Sequence, residues 1–404
     1  MTSSSRQIAL KGLTWDHPRG YDPLVACANR YAELNGHVRI EWRKRSLHDF
    51  GAYPIETLAS DFDLLVIDHP FMGQAERTGC FRDLRELIDG PTLSRLTAQG
   101  VGPSGNTYVW RDKVFALPTD AAAHVASYRE DLLAALSLDE PRRWSDVVQV
   151  AERARANGQT LGWAGTPTDA ACTFLTLAAN LGHPVGGTDG EFLPARATEQ
   201  VMSHLQWIVQ HAQPSCLDDN PIRVYEAMTA SDRMVYCPAA FGYSNYAREE
   251  RAPWLRFAPL AGPGAEPQRG ALLGGAGMAV SSHSAHAHEA AAFAAWLHSA
   301  EVQSGLYVEA GGQPGNVTAW RDPAVNGLTR DFFAATLPTL EAAWVRPRFA
   351  GFVPFVEAAG VEINRCLRGQ TDLRTLQHTL SALHADAWAA RDMVPSPLST
   401  EHAP

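Results

Sequence analysis

The tripeptide Asp-His-Pro occurs twice in the chain, in "LTWDHPRGYDP" and in "LLVIDHPFMG". A histidine can act as a general acid or base when a neighbouring aspartate holds its ring in one tautomer. Here His17 or His69 would transfer the proton, and Asp16 or Asp68 would orient that histidine. Two such pairs facing one cavity would also offer nitrogen and oxygen ligands to a metal ion. The residue types therefore suit proton transfer or metal binding.

The same tripeptides also have a purely structural interpretation. A proline disfavours the α conformation in the residue before it, so each strand would end cleanly at its histidine. Each aspartate can hydrogen-bond the local backbone, as turn aspartates often do. Arg19, close to the first copy, adds a cation that suits an anionic group. The sequence alone leaves both interpretations open.

A second set of potential metal ligands lies in "SSHSAHAHEAAAF", which contains His283, His286, His288 and Glu289. Glu289 begins an amphipathic helix, where an acidic first-turn residue complements the helix dipole. We therefore expect no metal here. We expect no cofactor either, because "GGAGMA" does not begin a βαβ unit and no GxSxG motif occurs.

Strand and helix patterns alternate from the start of the chain. "IALKGLTW" predicts a strand, "PLVACANRYAEL" a helix, "HVRIEW" a half-exposed strand and "FDLLVI" a strand buried on both faces. This order indicates an α/β domain with a largely parallel sheet. Both Asp-His-Pro copies then follow the carboxyl ends of parallel strands, where ligands bind in open α/β sheets.

The same patterns continue through the rest of the chain. They predict helices at 122–136, 145–158, 170–182, 197–212 and 288–299, strands at 160–166, 233–239 and 277–282, a connection at 259–277, and a mostly helical tail from 356 to 391.

Length and composition narrow the class of protein. A chain of 404 residues with 45% hydrophobic and 19% charged residues is globular and long enough for two domains. Its formal net charge of -10, with no basic run beyond "EWRKRS", argues against a nucleic-acid partner. No segment has the roughly 20 continuous apolar residues of a membrane span.

Cysteine use and the N-terminus bear on location. The six cysteines lie far apart without CxxC spacing, which is typical of buried free thiols in a reducing compartment. "MTSSSRQIALKGLTW" contains no apolar signal segment. We expect a cytoplasmic protein if Met1 is the native start, and a periplasmic one if the natural chain is longer.

Three stretches resemble blocks of the family 1 extracellular solute-binding proteins of ABC importers, the maltose-binding-protein type. They are "FDLLVIDHPFMGQAERTGCFRDLREL" (62–87), "KVFALPTDAAAHVASYREDLL" (113–133) and "LLGGAGMAVSSHSAHAHEAAAFAAWLHSAEVQSGLYVEAGGQPGN" (272–316). The first resembles a ligand loop after an apolar strand, and the second resembles the first crossover between lobes. The blocks occur in the family's order and at its separations.

The resemblance implies a two-lobe periplasmic-binding-protein-like fold (type II), with a mostly parallel sheet and flanking helices in each lobe and a ligand cleft between them. The first lobe would comprise 1–117 with 270–320. The second would comprise 118–269 with 321–404, including the C-terminal helices. The residues implied to bind ligand are Asp16, His17, Arg19, Asp68, His69, Asp120, Trp163, Thr166, Tyr243, Asn245, Gly274, Gly275, Gln313, Trp344 and Arg346.

Two functions follow from these observations. The first is a solute-binding protein that clamps a small polar ligand, a carbohydrate or a carboxylate, and delivers it to an ABC permease. Aromatic faces and planar hydrogen-bonding groups suit sugars, while arginine and helix N-termini suit small anions. The alternative is a cytoplasmic enzyme on the same scaffold, in which the Asp-His pairs act as acid or base. Fold alone does not decide between them.

Overall fold

The structure is a computed structural model that describes residues 7–46, 55–186, 191–248, 251 and 253–392. Its strands are β1 (Ile8–Trp15), β2 (Val38–Arg45), β3 (Leu64–Ile67), β4 (Val109–Trp110), β5 (Lys113–Val114), β6 (Ala116–Tyr128), β7 (Thr160–Leu161), β8 (Met234–Phe241), β9 (Arg256–Ala258) and β10 (Leu273–Val280). Its helices are α1 (Pro18–Asn35), α2 (Ile55–Ala59), α3 (Met72–Thr78), α4 (Gly90–Ala98), α5 (Ser104–Thr107), α6 (Glu130–Ala135), α7 (Trp144–Ala156), α8 (Pro167–Asn180), α9 (Ala195–His211), α10 (Pro221–Ala230), α11 (Ala287–Leu297), α12 (Ala300–Val302), α13 (Val317–Arg321), α14 (Pro323–Leu328), α15 (Phe332–Glu341), α16 (Phe352–Leu367) and α17 (Leu373–Ala389).

The first three strands form the parallel part of the sheet. β1 pairs with β2 along its whole length, from Ile8 opposite Val38 to Trp15 opposite Arg45, and β3 pairs with the other edge of β1. The predicted strand–helix–strand order is thus confirmed. α1 begins earlier than predicted, at Pro18, because the fixed φ of proline suits the first turn of a helix.

The sheet as a whole is mixed, and the prediction of mostly parallel sheets is wrong in this detail. The strand order is β2-β1-β3-β10-β6-β8-β7, with β9 also on β6. β10 runs antiparallel to β3 and β6, and β6 runs antiparallel to β8 and β9. A strand that is buried on both faces has a continuous apolar sequence whether it pairs parallel or antiparallel with its neighbours. The sequence pattern therefore does not show which way the strand runs.

Strand β6 is the long element that connects the two halves of the sheet. All thirteen of its residues are buried; Ala116–Ala123 pair with β10, and His124–Tyr128 pair with β8 and β9. The helix predicted at 122–136 is wrong over its first half, and only α6 is helical there. Alanine favours helices in isolation, but packing at the centre of a sheet outweighs that preference.

Helices α8, α9, α16 and α17 pack into one apolar layer beside the second half of the sheet. α16 crosses close to α8, since an added Cβ at Gly360 would lie 2.3 Å from the Pro167 carbonyl oxygen. Each fully buried leucine in such a layer stabilises the fold by about 1.5–3 kcal/mol. This layer confirms the predicted helical tail and fixes the first turns of α8 and α16 beside the sheet.

Two further segments differ from the predictions. Only Thr160–Leu161 of the predicted strand at 160–166 pairs in the sheet, because the chain then turns towards the start of α8. The predicted connection at 259–277 ends early, since β10 begins at Leu273. Glycine-rich sequence suggested a loop there, but these glycines allow β10 to pack closely on its neighbours.

Candidate ligand-binding cavity

A cavity of about 340 Å³ lies where β1, β6, β8 and β10 meet the first turns of α8, α10 and α16. Its wall combines charged groups with aromatic rings. The charged side chains are Arg19, Asp68, Asp120, Asp169, Arg346 and Glu357, and the rings are Trp15, Phe71, Phe241, Tyr243 and Phe352. Of the predicted site residues, the wall includes Arg19, Asp68, Asp120, Thr166, Tyr243, Gly274, Gly275 and Arg346.

Arg19 forms the first ion pair of the wall. From the first turn of α1 its Nε and Nη2 donate to the two carboxylate oxygens of Asp120 on β6, at 2.8 and 2.5 Å. Its Nη1 donates to the Gly242 carbonyl at 2.8 Å, and the guanidinium lies 4.5 Å from the centre of the Tyr243 ring. Burial lowers the pKa of Arg19 but the Asp120 carboxylate outweighs it, giving a net rise. The bidentate geometry fixes both side chains.

Arg346 and Asp68 form the second ion pair. Arg346 Nη2 lies 2.6 Å from Asp68 Oδ2, and both side chains are largely buried. The other Asp68 oxygen accepts the His69 backbone N–H at 2.8 Å. Burial favours the neutral carboxyl, but the Arg346 charge and the His69 hydrogen bond outweigh it and lower the pKa of Asp68 to about 2. The pair therefore stays ionised at neutral pH.

Asp169 adds a third carboxyl from the first turn of α8. Thr166 Oγ1 donates to its Oδ2 at 2.5 Å. Desolvation in the cavity raises the pKa of Asp169 to about 7, with the Thr166 hydrogen bond opposing the rise. At neutral pH this group can therefore accept or donate hydrogen bonds.

The family model described as bacterial extracellular solute-binding protein matches residues 23–304. The chain belongs to this family. It is a solute-binding protein of the kind that clamps small ligands for ABC import, as the sequence resemblance implied.

Solved structures share the fold of this solute-binding protein. Maltose-bound MalE3 of T. maritima matches with a TM-score of 0.81 and 18% identity over 95% of this chain and 99% of that chain. An ABC transporter solute-binding protein of Agrobacterium radiobacter in complex with ribitol matches with a TM-score of 0.76 and 18% identity over 95% and 98%. One of Agrobacterium vitis with bound D-mannitol matches with a TM-score of 0.77 and 14% identity over 95% and 99%. The predicted two-lobe α/β fold is confirmed.

In this solute-binding protein the first Asp-His-Pro copy lies beside the cavity wall. The Asp16 carboxylate is exposed and pairs with Lys44 at 2.8 Å. His17 is the N-cap of α1, and its Nδ1 accepts the Arg19 backbone N–H at 3.1 Å. Burial and the nearby Arg19 charge lower the pKa of His17 to about 4. Asp16 and His17 therefore do not pair with each other: Asp16 bonds Lys44, and His17 bonds the backbone of α1.

The second copy places its histidine behind the wall. His69 is 1% exposed, and its Nδ1 lies 3.1 Å from the Asp68 carboxylate. Desolvation, with the Arg346 charge, lowers the pKa of His69 to about 4. His69 supports Asp68 from inside the protein, while Asp68 itself faces the cavity.

Four other predicted residues lie outside the wall. Trp163 is fully buried and donates to Thr173 Oγ1 at 3.3 Å, so the turn after β7 directs it into the helical core. Gln313 is fully buried and bonds only backbone groups, which joins β6 to the segment after β8. Asn245 donates to the Gly311 carbonyl at 3.1 Å. Trp344 pairs through its backbone with β10 and faces another groove.

Gly274 and Gly275 are in the wall because β10 packs closely there. An added Cβ at Gly274 would lie 2.4 Å from the Phe241 ring, and one at Gly275 would lie 2.3 Å from the Asp120 carbonyl oxygen. Gly275 also has a φ of 105°, which L side chains rarely adopt. These glycines therefore bring backbone to the cavity and leave room for the Phe241 ring.

Sequence reasoning missed Trp15, Phe71, Asp169, Phe241 and Phe352. Trp15 and Phe241 are the last residues of β1 and β8. The rule that ligands bind at strand ends would have found both, had it included the final strand residue. Asp169 follows Thr166 by three residues, as at a helix start. Phe352 carries no local signal, since its place depends on how α16 packs.

No three His, Cys, Asp or Glu side chains of the described residues are grouped to hold a metal ion, and this includes the segment around His286. Among the helices of the described ranges, none combines the length and hydrophobicity that a bilayer crossing requires. All six cysteines are buried free thiols, as predicted.

Proposed function

We propose that this solute-binding protein clamps an uncharged polyhydroxy group, a sugar or sugar-alcohol unit of its solute, in the cavity of about 340 Å³. The carrying observation is that both cavity arginines are already paired. Arg19 is bound to Asp120 and Arg346 to Asp68, and they are the only cations among the described wall residues. A small carboxylate ligand would meet further carboxyls there without a spare cation to balance it.

The aromatic part of the wall supports the same ligand class. Trp15, Phe71, Phe241, Tyr243 and Phe352 offer apolar faces for the C–H surface of a sugar ring. The ion-paired carboxylates accept hydroxyl protons, and the remaining guanidinium N–H groups donate to hydroxyl oxygens. The maltose, ribitol and D-mannitol in the three related structures are ligands of this class.

The enzyme alternative lacks geometric support. His17 uses its Nδ1 to cap α1, and His69 lies behind Asp68 without facing the cavity. Neither histidine is oriented towards a bound solute by its own aspartate, as a general base requires. We therefore propose that the protein binds its solute and does not convert it.

We propose the lobe limits 1–117 with 270–320 and 118–269 with 321–404, and closure of these lobes on the solute. β6 supports a crossover between the lobes within this strand, because Ala116–Ala123 pair with β10 and His124–Tyr128 pair with β8 and β9. Delivery to an ABC permease outside the cytoplasm is part of the same proposal. Fractionation of the native host tests the location, and recovery from the cytoplasm alone would contradict it.

Calorimetric titration tests the ligand class. Maltose, ribitol and D-mannitol represent neutral solutes, and D-gluconate and citrate represent small acids. We expect saturable binding among the neutral solutes, no binding of the acids, and no change in the solute after prolonged incubation. Binding of the acids alone would overturn the proposal.

A matched pair of variants locates the site. Phe241→Leu removes a ring from the cavity wall and should weaken binding roughly tenfold, about 1.4 kcal/mol. Phe62→Leu makes the same change at a half-buried phenylalanine in another part of the core and should bind like the wild type. Equal weakening in both variants would show a general loss of folding rather than a lost contact.

A further inference from the structure

A second, larger concavity lies next to the ligand cavity. It has a volume of about 1010 Å³ and is bounded by α3, the β4–β5 hairpin, residues 184–186, residues 344–350 and the end of α17. We call it the arginine groove. Arg346 lines both the groove and the ligand cavity. A molecule longer than the cavity can therefore meet the groove at the same side chain.

The arginine groove has a charge opposite to that of the whole chain. Its described lining contains Arg77, Arg111, Arg346, Arg348 and Arg391, against one carboxylate, Glu76, whereas the formal net charge of the chain is -10. Glu76 is shared by Arg111 at 3.4 Å and by the Trp110 indole N–H at 2.8 Å. Arg346 is balanced by Asp68 and Arg111 lies on Glu76, so Arg77 and Arg348 supply the positive charge that favours an anionic occupant.

Arg348 is held rigidly at this surface. Its Nη1 donates to the carbonyls of Asn106, Thr107 and Val109 at 3.1, 2.8 and 2.7 Å. Its own carbonyl accepts the Gly73 N–H at 2.7 Å, which ties the segment 344–350 to α3. A guanidinium fixed before binding loses little side-chain entropy when an anion arrives.

Arg346 supplies the observation that points to a ligand. The residue is 8% exposed, and Nη2 bonds Asp68 on the cavity side. Its Nε is buried without a hydrogen-bond partner among the described residues. Buried donors are almost always satisfied, so an acceptor on a bound molecule is the natural partner at this junction.

Three half-buried indoles add recognition surfaces, since Trp110, Trp344 and Trp388 line the groove together. Arg348 lies 5.3 Å from the Trp110 ring centre and Arg391 lies 4.3 Å from that of Trp388. Indole faces pack on sugar rings, while guanidinium groups bind carboxylate or sulfate oxygens in pairs. The groove thus combines both elements of acidic-sugar recognition.

We propose that the solute is an oligosaccharide with an acidic unit, whose neutral unit occupies the ligand cavity and whose carboxylate- or sulfate-bearing unit occupies the arginine groove. This inference rests on the proposed function. It deepens that function because the ion-paired arginines of the cavity select the neutral unit, whereas Arg77 and Arg348 of the groove select the acidic one.

A glycan array with neutral, uronate-containing and sulfated oligosaccharides tests the inference on the full chain. We expect the tightest binding among the acidic members, and uronates and sulfates on separate spots identify the anion. Binding restricted to neutral members would overturn the inference and leave the proposed function standing. An array with no bound glycan would also overturn the inference, and the calorimetric titration with maltose, ribitol and D-mannitol decides the proposed function separately.

Variants then locate the anion contact on whichever acidic glycan binds. The double variant Arg77→Gln/Arg391→Gln should weaken that glycan at least tenfold and reduce the loss of affinity with added salt. The control Arg39→Gln/Arg153→Gln removes the same charge from exposed residues of β2 and α7. Equal effects of the two double variants would overturn the groove as the anion site.

Discussion

The two Asp-His-Pro copies have the same residues but exchange the roles of aspartate and histidine. In the first copy, His17 caps α1 and Asp16 is exposed on Lys44. In the second, Asp68 caps the short 3-10 turn His69–Phe71 and carries the Arg346 ion pair, while the histidine is buried. A shared tripeptide therefore gives two strand exits but only one cavity carboxylate.

The difference follows from where the next helical turn begins. After β1 the turn begins at Pro18, so the residue that caps it is His17. After β3 it begins at His69, one place earlier in the tripeptide, and Asp68 becomes the cap. A shift of one residue exchanges which side chain faces backbone N–H groups. The tripeptide predicts the exit, and the start of the helix decides the chemistry.

Breaking the second copy at its aspartate should have the largest effect. Asp68→Ala leaves the buried Arg346 guanidinium without its counter-ion, and loss of one partner of a buried pair costs about 3–5 kcal/mol. Urea unfolding at pH 7 measures this loss. The double variant Asp68→Ala/Arg346→Met removes the unpaired charge and should recover part of it. A double variant as unstable as Asp68→Ala would contradict the ion-pair account.

Lowering the pH should reduce the free energy of unfolding through the buried histidines of the two copies. The pKa of His69 falls from 6.5 to about 4 on folding, so its contribution is present above pH 6.5 and is lost as pH falls towards 4. Between pH 7 and pH 5 this amounts to about 2 kcal/mol for one such buried group. Urea unfolding of His69→Phe at both pH values should show a smaller acid loss than the wild type.

The matched control for the acid measurement is His288→Gln, which changes an exposed histidine of α11. It should keep the acid loss of the wild type. His17, whose pKa is also lowered to about 4, is still present in His69→Phe. That variant should therefore still lose part of its stability between pH 7 and pH 5. A His69→Phe curve that parallels the wild type would show that His69 does not carry the pH dependence.

His17→Ala tests the first copy as a helix cap and should have a smaller effect. It removes the acceptor of the Arg19 backbone N–H, and loss of an N-cap costs about 1 kcal/mol. Asparagine is a good cap, so His17→Asn should restore most of the stability in urea unfolding. If alanine and asparagine were equally destabilising, packing of the ring on Tyr243, 5.0 Å away between centres, would be its main role.

The early fold could be predicted because its signals are local. β1, α1 and β2 follow from patterns within a few residues, and the three resembling blocks gave the two-lobe fold. Local patterns could not predict the direction of β6, nor that its alanine-rich sequence forms a strand and not a helix. Its conformation depends on β8, β9 and β10, which lie about a hundred residues or more away in the sequence.

The cavity shows the same limit. Arg19, Asp68 and Asp120 could be named because each lies at a strand end or in a crossover near a recognisable block. Their pairings could not be predicted, since Arg346 lies 278 residues from Asp68 in the chain. Trp163 failed as a wall residue because the turn after β7 directs its ring into the helical core.

Asp16→Ala should have the smallest effect and decides whether the first copy contributes chemistry. The Asp16 side chain is 57% exposed and its partner Lys44 is 44% exposed, and exposed pairs of this kind contribute little to stability. Unfolding and solute affinity should both match the wild type. If Asp16 oriented His17 for proton transfer or ligand contact, affinity would fall while stability stayed constant. Such a fall would show that the first copy takes part in ligand binding. An unchanged affinity would show that its role is only to end β1 and begin α1.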